Sequence, residues 1–124
     1  MVIGCGGIGM NAVQGAHIAG ARMVIAVDVV DYKLERAKEF GATHTINAKH
    51  QDVVEIVKDL TWGMGVDYAF EAIATPATIG QAYACTGKNG TVVVIGLTQL
   101  AFALLGGFLS HRFGISERTD RTRC

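Results

Sequence analysis

The chain has 124 residues, half of them hydrophobic and 18% charged, which suits one packed domain and excludes a disordered chain. Lys plus Arg and Asp plus Glu each number 11, so no basic excess exists to draw in nucleic acid or an anionic membrane. Three widely spaced cysteines, Cys5, Cys85 and Cys124, form no disulfide framework, and no signal peptide is expected. A reducing, cytoplasmic location is expected.

In chain order, Met1-Val2-Ile3 reads as the end of a strand. Ile8 to Gly20 predicts a helix with Ile8, Ala12, Ala16 and Ala19 on one face, small enough to lie close to a sheet. Met23 to Asp28 is an almost continuous apolar run, the mark of a strand buried on both faces. Asp31 is placed to cap a helix reaching Phe40, and Gly41 fits the left-handed position that ends it. Thr43 to Ile46 reads as a short strand. Asp52 caps a helix with Val53, Ile56, Val57 and Leu60 on one face, and residues 62–65 form a loop.

Val66 to Glu71 is the next strand. Thr75 followed by Pro76 is an N-cap with proline at the first helical position, and this helix runs to about Cys85. Gly87 to Gly90 reads as a turn, and Thr91 to Ile95 as a buried fifth strand. Strands joined by single helices imply parallel pairing with right-handed crossovers. The fold class expected is α/β, a doubly wound parallel sheet of about five strands. After Thr98 the alternation stops. Leu100 to Leu109 carries no charge, whereas Arg112, Arg118, Arg121 and Arg123 crowd the stretch that follows. Residues 1–98 therefore read as the folded unit and 99–124 as an atypical tail without a regular sixth strand.

Gly4-Cys5-Gly6-Gly7-Ile8-Gly9 fits G-x-G-x-x-G. In a chain with 16 glycines the pattern alone is weak, but it follows a strand end and opens a helix. Asp28 ends the next strand, where the dinucleotide fingerprint places its acidic residue. Gly4 permits the tight turn, Gly6 lets backbone approach a pyrophosphate, and Gly9 lets helix pack on strand. Asp28 can accept hydrogen bonds from ribose hydroxyls and would repel a 2′-phosphate, which favours NAD over NADP. The competing interpretation is a structural turn plus a solvated strand-end carboxylate.

Other candidates are poorer. His17, His44, His50 and His111 show no metal-ligand spacing. Cys5 lies in the glycine loop, where a nearby helix N-terminus can lower a thiol pKa, but it reads first as simply the variable residue of the motif. Tyr32 and Tyr83 lack a lysine at Tyr-x-x-x-Lys spacing, and Glu71 is a lone carboxylate rather than half of a catalytic pair.

Residues 1 to about 98 resemble the nucleotide-binding (Rossmann) domain of the zinc-containing, medium-chain alcohol dehydrogenases. The matching stretches are residues 4–9, Val27-Asp28, Ala37-Lys38-Glu39-Phe40-Gly41-Ala42-Thr43, Gly65-Val66-Asp67-Tyr68-Ala69-Phe70-Glu71 and Val94-Ile95-Gly96. The likeness is greatest to the S-(hydroxymethyl)glutathione dehydrogenase branch. It implies NAD as cofactor. Gly7 falls within the matching loop, and Ile8 would lie behind the nicotinamide. Val29 and Ile73 would wall the adenine, and Lys33 would reach the adenosine ribose. Ile95, Gly96 and Leu97 would lie near the nicotinamide amide.

The family carries its zinc ligands and proton relay outside the region matched here, and its members are homo-oligomers that pair through a sixth strand. With a shortened first strand and neither of those regions, the sequence reads as a fragment that binds no zinc itself. Two alternatives are a regulatory nucleotide-binding module of the kind found on ion transporters, against which the Ala37–Thr43 segment argues, and a non-functional piece.

Overall fold

The computed structural model describes residues 1–96, so the expectations for Leu97, for a sixth strand and for the 99–124 tail lie outside the described residues. The elements are β1 (Val2–Ile3), α1 (Gly7–Ile18), β2 (Ile25–Asp28), α2 (Asp31–Glu39), β3 (His44–Asn47), α3 (Val53–Leu60), β4 (Val66–Glu71), α4 (Pro76–Cys85) and β5 (Thr86–Val94). All pairings are parallel and the strand order is β3-β2-β1-β4-β5. This is the expected doubly wound sheet, and its order reverses between β1 and β4, where such sheets open a crevice beyond their carboxyl ends.

Period-two alternation divides the core between two faces. Val2, Val24 and Ala26 pack with Val13 of α1 and with Leu34 and Ala37 of α2. Ile3, Ile25 and Val27 pack on the other face with Val53 and Val57 of α3 and Ala82 and Cys85 of α4. Each fully buried Val or Ile contributes about 1.5–3 kcal/mol relative to its exposed state.

Several local expectations need correction. Helix α2 is capped by the backbone of Val30, not by Asp31, which is its first residue and accepts a 2.7 Å hydrogen bond from Asn47 Nδ2. That bond ties α2 to β3, and no side chain caps the helix. Along α1 the buried residues are Gly9 and Val13, with Ala12 and Ala16 partly buried, whereas Ile8 and Ala19 are exposed. The face expected from the sequence is thus rotated from the one that packs.

The region read as a turn followed by a strand is one strand with a large bulge. Between Val66↔Thr86 and Tyr68↔Thr91, β5 takes a longer path than β4. Asn89 adopts φ +64° within this excursion. Nor is β5 buried as expected: Val93 and Val94 are exposed, because β5 lies at the sheet edge among the described residues.

The expected caps of α3 and α4 hold, whereas α1 ends at Ile18, β2 starts at Ile25 and β3 runs His44–Asn47, each shifted by one or two residues from the sequence reading. Asp52 caps α3 by accepting from the Glu55 N–H at 3.1 Å. Thr75 caps α4 in a reciprocal box with Thr78, with Pro76 at the first position. Among the described residues, no helix is long and apolar enough to cross a membrane.

Candidate nucleotide crevice

The crevice is built by the loops that leave β1, β2, β4 and β5 at their carboxyl ends. β1 ends in Gly4, whose φ is +93° and whose N–H donates to the Val27 carbonyl at 2.8 Å. The chain then turns at once into α1. A Cβ on Gly9 would overlap the Gly4 carbonyl oxygen, so only glycine permits this helix to start so close to the strand. By contrast, Cβ atoms on Gly6 and Gly7 would point into open space, leaving room for a ligand.

The N-terminus of α1 has no side-chain cap and no acidic residue in its first turn. Its first intrahelical bond runs from the Met10 N–H to the Gly6 carbonyl at 2.8 Å. The N–H groups of Gly7, Ile8 and Gly9 therefore have no intrahelical acceptor, and with the helix dipole they favour an anion.

Asp28 stands beside this loop at 8% exposure. Its Oδ2 accepts the Cys5 N–H at 2.8 Å, and its Oδ1 accepts the N–H groups of Val29 at 2.7 Å and Val30 at 3.0 Å. Three backbone donors thus hold a buried carboxylate in place. Each carboxylate oxygen has two lone pairs, so Oδ2 keeps one acceptor position for a further donor such as a ribose hydroxyl.

Next to the loop lies a cleft of about 360 Å³ lined by Cys5, Gly6, Gly7, Met10, Lys33, Arg36 and Phe40. Lys33 is thereby brought to the glycine loop. Arg36, which the sequence did not single out, joins it with its guanidinium 5.7 Å from the centre of the Phe40 ring. Its signal was present, since an arginine one turn after Lys33 shares its helix face.

Val29 and Ile73 are partly exposed apolar residues at the ends of β2 and β4. Ile73 also approaches β1, with its Cγ1 2.7 Å from where a Gly4 Cβ would stand. The Ile95 and Gly96 N–H groups do not face free space: both donate to the Glu71 carbonyl, at 2.8 and 3.2 Å. Ile8 is exposed at the start of α1.

Cys5 is a buried residue of the loop, not an activated thiol. Burial, followed by the neighbouring Asp28 carboxylate, pushes its thiol up to about 11 despite the opposing charge of Lys33. Its Sγ lies 3.6 Å from the Val27 carbonyl, turned into the core rather than toward the helix dipole. Cys5 is expected to resist alkylation by iodoacetamide at pH 8 in the folded chain and to react once urea unfolds it. A raised native value also means that the folded state holds its proton longer than the unfolded state. The stability this confers is complete below pH 9 and declines by at most about 3 kcal/mol as pH rises through 11. Denaturant titrations at pH 8 and 10.5, with Cys5→Ala as reference, measure that loss.

No three His, Cys, Asp or Glu side chains converge among the described residues, so the donor set there does not fit a catalytic zinc. The dinucleotide does fit, because the uncapped amides, the open Gly6–Gly7 surface and the held carboxylate meet at one edge.

The sequence matches the family model "Zinc-binding dehydrogenase" over residues 7–113. It is 44% identical over 115 residues to the NDMA-dependent alcohol dehydrogenase of Amycolatopsis methanolica, covering 89% of this chain and 31% of that protein. The benzyl alcohol dehydrogenase structure from Acinetobacter calcoaceticus superposes with a TM-score of 0.77 at 38% identity, over 86% of this chain and 31% of the other. A zinc-binding dehydrogenase from Sinorhizobium meliloti 1021, solved bound to NADP, gives 0.72 at 36% identity, over 77% and 29%. The chain spans about three-tenths of the length of these relatives. It belongs to the zinc-binding dehydrogenase family.

Proposed function

We propose that this chain is the NAD-binding part of an alcohol dehydrogenase that passes hydride from a primary alcohol to nicotinamide, with residues 1–98 as the nucleotide unit. The observation that carries this reading is the uncapped start of α1 beside the buried Asp28. The amides of Gly7, Ile8 and Gly9 bind the pyrophosphate, and Lys33 with the free acceptor position of Asp28 holds the adenosine ribose. Val29 and Ile73 flank the adenine, while Ile8 and the 95–97 segment border the nicotinamide. The fixed negative charge of Asp28 disfavours a 2′-phosphate, so NAD is the proposed cofactor, although the Sinorhizobium relative was solved with NADP. Within the family, the S-(hydroxymethyl)glutathione dehydrogenase branch is the proposed placement, on the Ala37–Thr43 and Gly65–Glu71 segments.

Bound NAD supplies the hydride acceptor; the residues named above orient it, and the described residues supply no metal site to activate the alcohol. Calorimetric titration with NAD and NADP tests the first half of the proposal, and NADH absorbance with several primary alcohols and added zinc tests the second. Saturable NAD binding, weaker NADP binding and no NADH formation are expected. No NAD binding by folded chain rejects the cofactor assignment, and NADH formation that a chelator abolishes reveals a metal site in this chain.

A further inference from the structure

Glu71 is wholly buried at the carboxyl end of β4, beside Ile3 of β1. Its Oε1 accepts three donors: the N–H groups of Ile73 and Ala74, each at 2.7 Å, and Thr78 Oγ1 at 2.9 Å. Its Oε2 has no partner among the described residues. A buried carboxylate oxygen left without a donor is costly, and an apolar residue would serve a core better. The carboxyl group therefore does something packing alone does not require.

What it holds is a strained segment. Ala74 has φ +63°, a left-handed conformation that non-glycine residues rarely adopt. That conformation brings Ile73 against Gly4 and Ala74 against Gly96; a Cβ on Gly96 would stand 2.8 Å from the Ala74 methyl. The main-chain carbonyl of Glu71 meanwhile accepts the N–H groups of Ile95 and Gly96. One residue thus fastens the ends of β4 and β5 on one side of the topological switch.

We propose that Glu71 is a positioning residue of the crevice: through one carboxylate oxygen it fixes the 72–75 segment and so sets affinity for the adenine half of a dinucleotide without touching it. This rests on the nucleotide-binding reading, but its test separates the two. In Glu71→Ala, amide exchange at Ile73 and Ala74 is expected to accelerate. Measured well below that variant's melting temperature, Kd for NAD and for AMP is expected to rise about tenfold. Glu71→Gln keeps an acceptor oxygen and is expected to stay within about threefold of the parent chain in Kd, with slow exchange retained.

Wild-type exchange and Kd in folded Glu71→Ala overturn the proposal. Loss in Glu71→Gln equal to that in Glu71→Ala also overturns it, because charge rather than the accepting oxygen would then matter. If Glu71→Ala does not fold, Thr78→Val removes a single donor and is expected to give a smaller change in the same direction; no change overturns the proposal. If the parent chain binds no NAD while exchange still accelerates in Glu71→Ala, the cofactor reading fails and the fastening role stands.

Discussion

Gly9→Ala is expected to destabilise the chain by about 3 kcal/mol or more and to lower Tm by about 10–20 °C. The added methyl would occupy the place of the Gly4 carbonyl oxygen. Backbone cannot yield as a flexible side chain does, so either α1 lifts from β1 or the turn at Gly4 opens. Both movements displace the amides of Gly7, Ile8 and Gly9 from the crevice, and nucleotide binding should fall with stability. Gly15→Ala is the matched control. It lies on the same helix with nothing within 4 Å of its Cβ position, and is expected to stabilise by about 0.5–1 kcal/mol. Thermal melts of the pair decide the matter, and an unchanged Tm in Gly9→Ala would show that the close approach does not constrain the fold.

Asp28→Ala is expected to weaken NAD binding about 10- to 100-fold, the loss of one charged hydrogen bond worth about 1.5–3 kcal/mol. It should also cost stability, because the N–H groups of Cys5, Val29 and Val30 all lose their acceptor. Asp28→Asn separates the two effects. It restores one accepting oxygen but turns a donor toward an N–H, so it should recover part of the stability and little of the affinity. Calorimetry below the melting temperature of each variant gives the affinities. Equal affinity in Asp28→Ala and the parent chain would sink the role given to this carboxylate.

The parts of this crevice legible in sequence are those whose physics is local. The glycine spacing, the strand-end Asp28 and the Thr75-Pro76 cap each follow from short-range pattern, and the structure places them as expected. What escaped depends on distant partners. Asp31 has the composition of a cap, but Asn47 of β3 claims its carboxylate. Cys5 sits beside a helix N-terminus, yet its thiol turns toward Val27 and is buried there. Gly87 to Gly90 has turn composition, yet β4 keeps it within one strand through an offset no short window shows. Glu71 reads as an isolated carboxylate because two of its donors, the Ile73 and Ala74 amides, belong to the main chain and carry no side-chain signature.

The central placement of β1 also bears on how the chain assembles. Val2 pairs on one side with Ala26, just past the first helix, and on the other with Phe70, three crossovers along the chain. The first contact closes a short loop through α1, and the second must wait for most of the chain. Assembly should therefore run from a β1–β2–β3 half toward a later docking of β4 and β5, with one side of β1 left open as a template in between. The loop that starts α1 belongs to the early half, whereas Ile73 and Glu71 arrive with the late one. A nascent chain halted before Glu71 would carry every glycine of the fingerprint and the Lys33 cleft beside them, yet would lack the wall that Ile73 adds on the β4 side.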